Sequence, residues 1–82
     1  MTTLTEIIKA DAAYLKDVTV NVDNRFGTVC ISAPGKDDIF MQGDDASGFI
    51  KVCRDLWERA GDIDMPTVEL AVAKDYVDCI WG

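Results

Sequence analysis

The segment DVTVNVD, residues 17–23, alternates without exception: Val18, Val20 and Val22 fall on one side and Thr19, Asn21 and Asp23 on the other. Side chains repeat every two residues in an extended strand, so this segment has one apolar face to bury and one polar face to leave wet. The turn residues of DNRFG follow, and FGTVCISA then places Val29 and Ile31 on one face and Thr28, Cys30 and Ser32 on the other. Two such runs joined by a short polar turn predict a hairpin. PGKDD supplies a second turn, because Pro34 presets its φ angle and Gly35 tolerates a positive one, and IFMQ from Ile39 is a third short strand. The expected sheet is an antiparallel meander.

On both sides of this block the apolar period changes from 2 to 3.6. Before it, Thr3-Leu-Thr-Glu6 has the spacing of a capping box, and Leu4, Ile7, Ile8, Ala12 and Leu15 form the apolar face of a helix of about 13 residues. After it, Phe49, Val52, Cys53, Leu56, Trp57 and Ala60 fall at i, i+3, i+4, i+7, i+8 and i+11, the strongest helical pattern in the chain. Lys51 with Asp55, Arg54 with Glu58 and Asp55 with Arg59 are spaced for ion pairs along its outer face, and Gly61 stands where a C-terminal cap belongs. The helix is expected to start at Asp44, Asp45 or Ala46, with the two aspartates as its N-terminal cap.

The last third supports two readings. Val68, Leu70 and Val72 alternate as in a strand, while Val68, Val72, Tyr76, Cys79 and Ile80 fit a helical stripe. Asp64 ahead of Pro66 has the form of a cap followed by a first-turn proline, and Glu69, Leu70, Ala71, Ala73 and Lys74 are good helix formers, which favours helix with a break left open near Lys74 and Asp75. The expected fold is a small single α+β domain over residues 1–82: helix, three-stranded antiparallel sheet, helix, C-terminal helix. At 82 residues there is room for one core and no second domain. Its expected members are Val18, Val20, Val22, Val29, Ile31, Phe49, Val52, Leu56 and Trp57.

Charge narrows the function. Fifteen Asp and Glu against eight Lys and Arg give a net charge of -7, which disfavours direct binding to nucleic acid or to an anionic membrane and favours a protein partner with a basic surface. The chain holds no His, and Cys30, Cys53 and Cys79 are isolated among apolar neighbours with no paired base and no Cys-x-x-Cys spacing. General acid-base catalysis, thiolate catalysis and structural zinc therefore lack their usual residues, and no enzymatic activity and no cofactor are expected. The cysteines read as small core hydrophobes in a reducing cytoplasm. The amino terminus as given has no basic stretch followed by an apolar one, and nowhere do about 18 apolar residues run together.

Two acidic clusters remain as candidate partner-binding residues. Asp37, Asp38, Asp44 and Asp45 lie within nine residues around a turn and a helix start, and Asp75 and Asp78 flank the aromatic end of the chain at Trp81. Asp44 and Asp45, preceded by Gly43, share three residues with a polymerase metal turn, and with Asp37 and Asp38 they are hard oxygen ligands suited to magnesium or calcium. The further carboxylates and the spacing of a known site are missing, so capping is the preferred role and no metal is expected.

A short, acidic, cysteine-containing α/β chain without a catalytic motif resembles the small inhibitors encoded by phages and mobile elements, anti-CRISPR proteins among them. The resemblance covers the whole chain in size and charge and carries over no binding residue. It implies an inhibitor that works in the host-cell cytoplasm and occupies the Lys/Arg-lined, nucleic-acid-binding surface of a host defence complex such as a CRISPR effector. The alternative is a small structural or assembly protein, a homodimer for instance, whose aromatics serve self-association and whose acidity serves solubility.

Overall fold

The computed structural model describes residues 2–82. It is an α+β domain in the order α1 (Leu4–Tyr14), β1 (Thr19–Asp23), β2 (Thr28–Ser32), β3 (Ile39–Met41), α2 (Gly43–Ala60) and α3 (Met65–Ile80). The strands form one antiparallel sheet in the order β1-β2-β3.

Local chemistry accounts for most boundaries. The Thr3 hydroxyl accepts from the Glu6 amide at 3.1 Å and the Glu6 carboxylate accepts from the Thr3 amide at 3.2 Å, the reciprocal bonds of a capping box. Asp23 accepts from the amides of Arg25 and Phe26, which tightens the hairpin turn between β1 and β2. Gly61 ends α2 in the left-handed region at φ 80°, where a side chain would be strained. Asp64 caps α3 by accepting from the Thr67 amide and hydroxyl, and that hydrogen bonding holds its carboxyl below the usual range. The third helix runs unbroken through Lys74 and Asp75, so the open choice in this region resolves to helix without a break.

Register gives the sheet two distinct faces. Val20, Ile31 and Ile39 form one cross-strand row and Val22, Val29 and Met41 another, both turned toward the helices. Helices α2 and α3 lie over β2 and β1 on that face, and α1 packs against α3. The core between these layers holds Ile8, Val29, Ile31, Met41, Phe49, Cys53, Val68 and Val72, with Val18, Val20, Val22 and Leu56 packed at its margin. No helix among the described residues is long and apolar enough to cross a membrane.

Four expectations need correcting. Val52 and Trp57 are not core residues, being 48% and 43% exposed. At about 100° per residue Val52 lies some 60° to one side of Phe49 and Trp57 about 80° to the other, so both sit on the flanks of a stripe whose centre alone meets the sheet. Ile7 is exposed for the same reason, about 100° away from the buried Ile8. Asp44 and Asp45 are not the cap of α2: Gln42 holds that position without a side-chain bond, Gly43 follows at φ 62°, and the two aspartates occupy the first turn. There they still face the positive end of the helix dipole. Of the three ion pairs expected along α2, the described residues form Arg59 with Asp55 at 3.6 Å and neither of the others. Finally, Cys53 alone of the three thiols is buried; Cys30 is half-buried on the outer sheet face and Cys79 is exposed.

Candidate functional site

The turn before β3 and the end of α3 meet. Lys36 donates its amide to the Ala33 carbonyl at 3.2 Å, closing a turn that needs the positive φ of Gly35, and the chain then presents Asp37 and Asp38 to solvent before Ile39 enters the core. From the other side, the Trp81 amide closes the last turn of α3 on Val77 at 2.9 Å. The indole packs at the margin of the core and its Nε1 donates to the Asp37 carbonyl at 2.9 Å. An aromatic terminus that would otherwise fray is thus tied to the sheet.

Beside this bond lies an open groove of about 370 Å³, bounded by the α1–β1 connection, the turn at Pro34 and the last turn of α3. Tyr14, Asp17, Pro34, Val77, Asp78 and Trp81 are among its walls. Asp17 holds a left-handed backbone at φ 59°, a conformation that aspartate tolerates better than most residues. The end of the molecule therefore carries Asp17, Asp37, Asp38 and Asp78 around a half-buried tryptophan.

Lysines are interleaved with these acids, and one is already engaged. Lys74 Nζ lies 3.4 Å from an Asp78 carboxylate oxygen and 4.8 Å from the centre of the Tyr14 ring. The Asp78 hydrogen bond, reinforced by the charges of Asp78, Asp11 and Asp75, holds this ammonium above its usual pKa. Two other lysines, Lys16 and Lys36, line the groove itself. Asp37, Asp38 and Asp75 are exposed and form no ion pair among the described residues.

The seven candidate residues thus divide. Asp37, Asp38, Asp78 and Trp81 share one end of the molecule, with Asp75 one turn back along α3. Asp44 and Asp45 stand beyond the far end of β3, separated from Asp38 by roughly 13 Å of extended chain, and form a separate acidic spot. The four carboxylates at positions 37, 38, 44 and 45 therefore do not converge, and among the described residues no three His, Cys, Asp or Glu side chains are arranged to hold a metal ion. Asp17 and Tyr14 were not among the sequence candidates. Asp17 follows a helix and precedes a strand, which marks a turn, but nothing local signals that α3 ends beside it.

The buried Cys53 thiol offers little nucleophilic chemistry in this arrangement. Burial, with the Glu69 carboxylate adding to it, pushes the Cys53 thiol up to about 12, so it stays protonated at neutral pH. Cys53 and Glu69 share a cleft of about 90 Å³ with Arg54, and burial raises the Glu69 carboxyl above the usual carboxylate range. Comparisons of the chain with protein families, with curated proteins and with solved structures find no match.

Proposed function

We propose that the chain is a non-enzymatic binding protein that presents its Trp81 end to a basic surface of a protein partner. The observation that carries this reading is the bond from Trp81 to Asp37. It joins two acidic segments that lie 44 positions apart into one surface with an aromatic at its centre. Tryptophan in such a setting is a suitable anchor, offering a large apolar area at small entropic cost, and carboxylates around it select Lys- and Arg-rich partners and speed encounter.

A basic protein surface of this kind commonly serves to hold nucleic acid. The proposed role is therefore inhibition by occupation: the chain would cover a Lys/Arg-lined site on a nucleic-acid-handling host complex, a CRISPR effector being one such complex. A net charge of -7 is modest beside the phosphate density of DNA, so recognition by one acidic end is more reasonable than mimicry by the whole body. Charge reversal at Asp37 and Asp38 tests the reading without disturbing the fold, because the bond to Trp81 uses the Asp37 backbone carbonyl and not its carboxylate. Loss of partner capture by the Asp37→Lys, Asp38→Lys variant supports it, and unchanged capture contradicts it.

A further inference from the structure

Two helices end at the groove beside Trp81. Helix α1 stops at Tyr14 and α3 at Ile80, and residues from both ends form its walls, Tyr14 and Asp17 on one side and Val77, Asp78 and Trp81 on the other. A helix C-terminus carries roughly half a negative charge and several unpaired carbonyl groups, and a base in the last turn is the favourable complement to both. Here the last turns, residues 11–14 and 77–80, each hold an aspartate, Asp11 and Asp78, and no base. Tyr14 is 63% exposed, so core packing does not account for its ring. Acids at the negative end of a helix and an uncovered aromatic beside them are unfavourable or idle for the fold, and both suit an incoming cation.

An internal cation already occupies part of this site. Lys74 sets its ammonium 4.8 Å from the centre of the Tyr14 ring and 3.4 Å from Asp78 Oδ2. Within a helix, a lysine four positions ahead of an acid is the weaker order of such a pair. From this we infer that the groove is a seat for one arginine side chain of the basic partner, whose guanidinium takes Asp78 and Tyr14 over from Lys74. The inference rests on the reading above, that the Trp81 end meets a basic protein, and names the group that this end grips.

Arginine fits better than lysine for three reasons. Lys74 engages one oxygen of Asp78, whereas a guanidinium binds both through parallel hydrogen bonds, so it gains a contact that the resident ammonium lacks. A planar, weakly hydrated guanidinium also lies flat against an aromatic ring, and the indole N–H of Trp81 is already given to the Asp37 carbonyl, which leaves the ring face for stacking. The aliphatic stem has Val18, Pro34 and Val77 to lie against. Lys16 and Lys36 face the same groove and match Asp17 and Asp78 in number, so the two helix ends with Asp11 and Asp75 set the sign of the site. That balance suits one incoming cation and opposes a run of them.

NMR titration of the full chain with N-acetyl-arginine methylamide, up to about 50 mM at constant ionic strength, tests the seat without any partner. Saturable shifts are expected at the Trp81 indole N–H and at the amides of Tyr14, Asp17 and Asp78, with the lysine analogue weaker and the citrulline analogue, which keeps the shape and loses the charge, inactive. Lys74→Met should tighten arginine binding by about three- to tenfold, since one exposed ion pair and one cation–ring contact are all that must be displaced. Lys51→Met removes the same charge from the outer face of α2 and should leave binding unchanged, while Tyr14→Leu and Asp78→Asn should each weaken it. A flat titration of both wild type and Lys74→Met overturns the inference, as does equal binding of citrulline or equal tightening by Lys51→Met. Partner capture that depends on Asp37 and Asp38 beside a flat arginine titration would sink the arginine seat alone; saturable arginine binding beside capture indifferent to Asp37 and Asp38 would sink the proposed function alone.

Discussion

Trp81 Nε1 donates to the backbone carbonyl of Asp37 across 2.9 Å, fastening the last turn of α3 to the turn that leads into β3. Removing the N–H while keeping an aromatic ring isolates this bond. Trp81→Phe should lower stability by about 1 kcal/mol, the usual net worth of one hydrogen bond, with little change in the denaturant slope. Urea unfolding followed by circular dichroism measures both quantities. Stability equal to that of the wild type would mean that the bond does not hold the two segments together.

Burial predicts a sharp contrast along α2. Phe49 is fully enclosed and packs against Tyr76 with ring centres 5.5 Å apart and planes tilted by 55°, so Phe49→Ala should cost about 3 to 5 kcal/mol. Val52→Ala and Trp57→Ala, on the exposed flanks of the same stripe, should each cost under about 1 kcal/mol. Equal losses at all three positions, in the same unfolding experiment, would contradict the orientation assigned to this helix.

That contrast also shows where the sequence stops being informative. Strand faces were legible because an alternation such as Val18, Val20, Val22 permits only one inward side. The start of α1, the end of α2 and the start of α3 were legible because Thr3 with Glu6, Gly61, and Asp64 with Pro66 act through bonds or backbone angles local to the chain. Val52 and Trp57 misled because periodicity marks a stripe's centre better than its width, and a three-stranded sheet covers only a narrow strip of a helix. For the candidate site, the acidic residues and Trp81 were visible as types, but the contact that unites Asp37 with Trp81 spans 44 positions and leaves no local pattern. Asp17 was missed on the same ground.

The three thiols should differ in reactivity in the order of their exposure. Brief alkylation of the folded protein near pH 8 should label Cys79 first and Cys30 more slowly, leaving Cys53, which is buried and pushed up to about 12, unmodified until the chain unfolds. Peptide mass spectrometry after timed quenching reads the order. Early labelling of Cys53 would show that the α2–α3 packing opens readily.

Glu69 makes stability depend on pH in a definite direction. Burial raises its folded-state pKa above the ordinary value of 4.5, so the folded form binds this proton more tightly than the unfolded chain does. The associated stability is fully present below the unfolded pKa and is lost as the pH rises through the raised folded value. Glu69→Gln removes the titration and should therefore be more stable than wild type at pH 7, with the difference shrinking toward pH 4. Thermal unfolding of both proteins across that range checks the sign; a variant less stable than wild type at pH 7 would mean that the carboxylate is satisfied by its neighbours.

The central claim, that the Trp81 end binds a basic protein surface, is tested most directly by quantitative capture from host-cell lysate at low and high salt. Three immobilised forms are compared: wild type, Asp37→Lys with Asp38→Lys and Asp78→Lys, and Asp44→Lys with Asp45→Lys. The account predicts a partner that is retained by the wild type and by the Asp44, Asp45 variant, is lost from the Asp37, Asp38, Asp78 variant, and elutes as salt rises. A partner held equally by all three forms, or one that survives high salt undiminished, would contradict it.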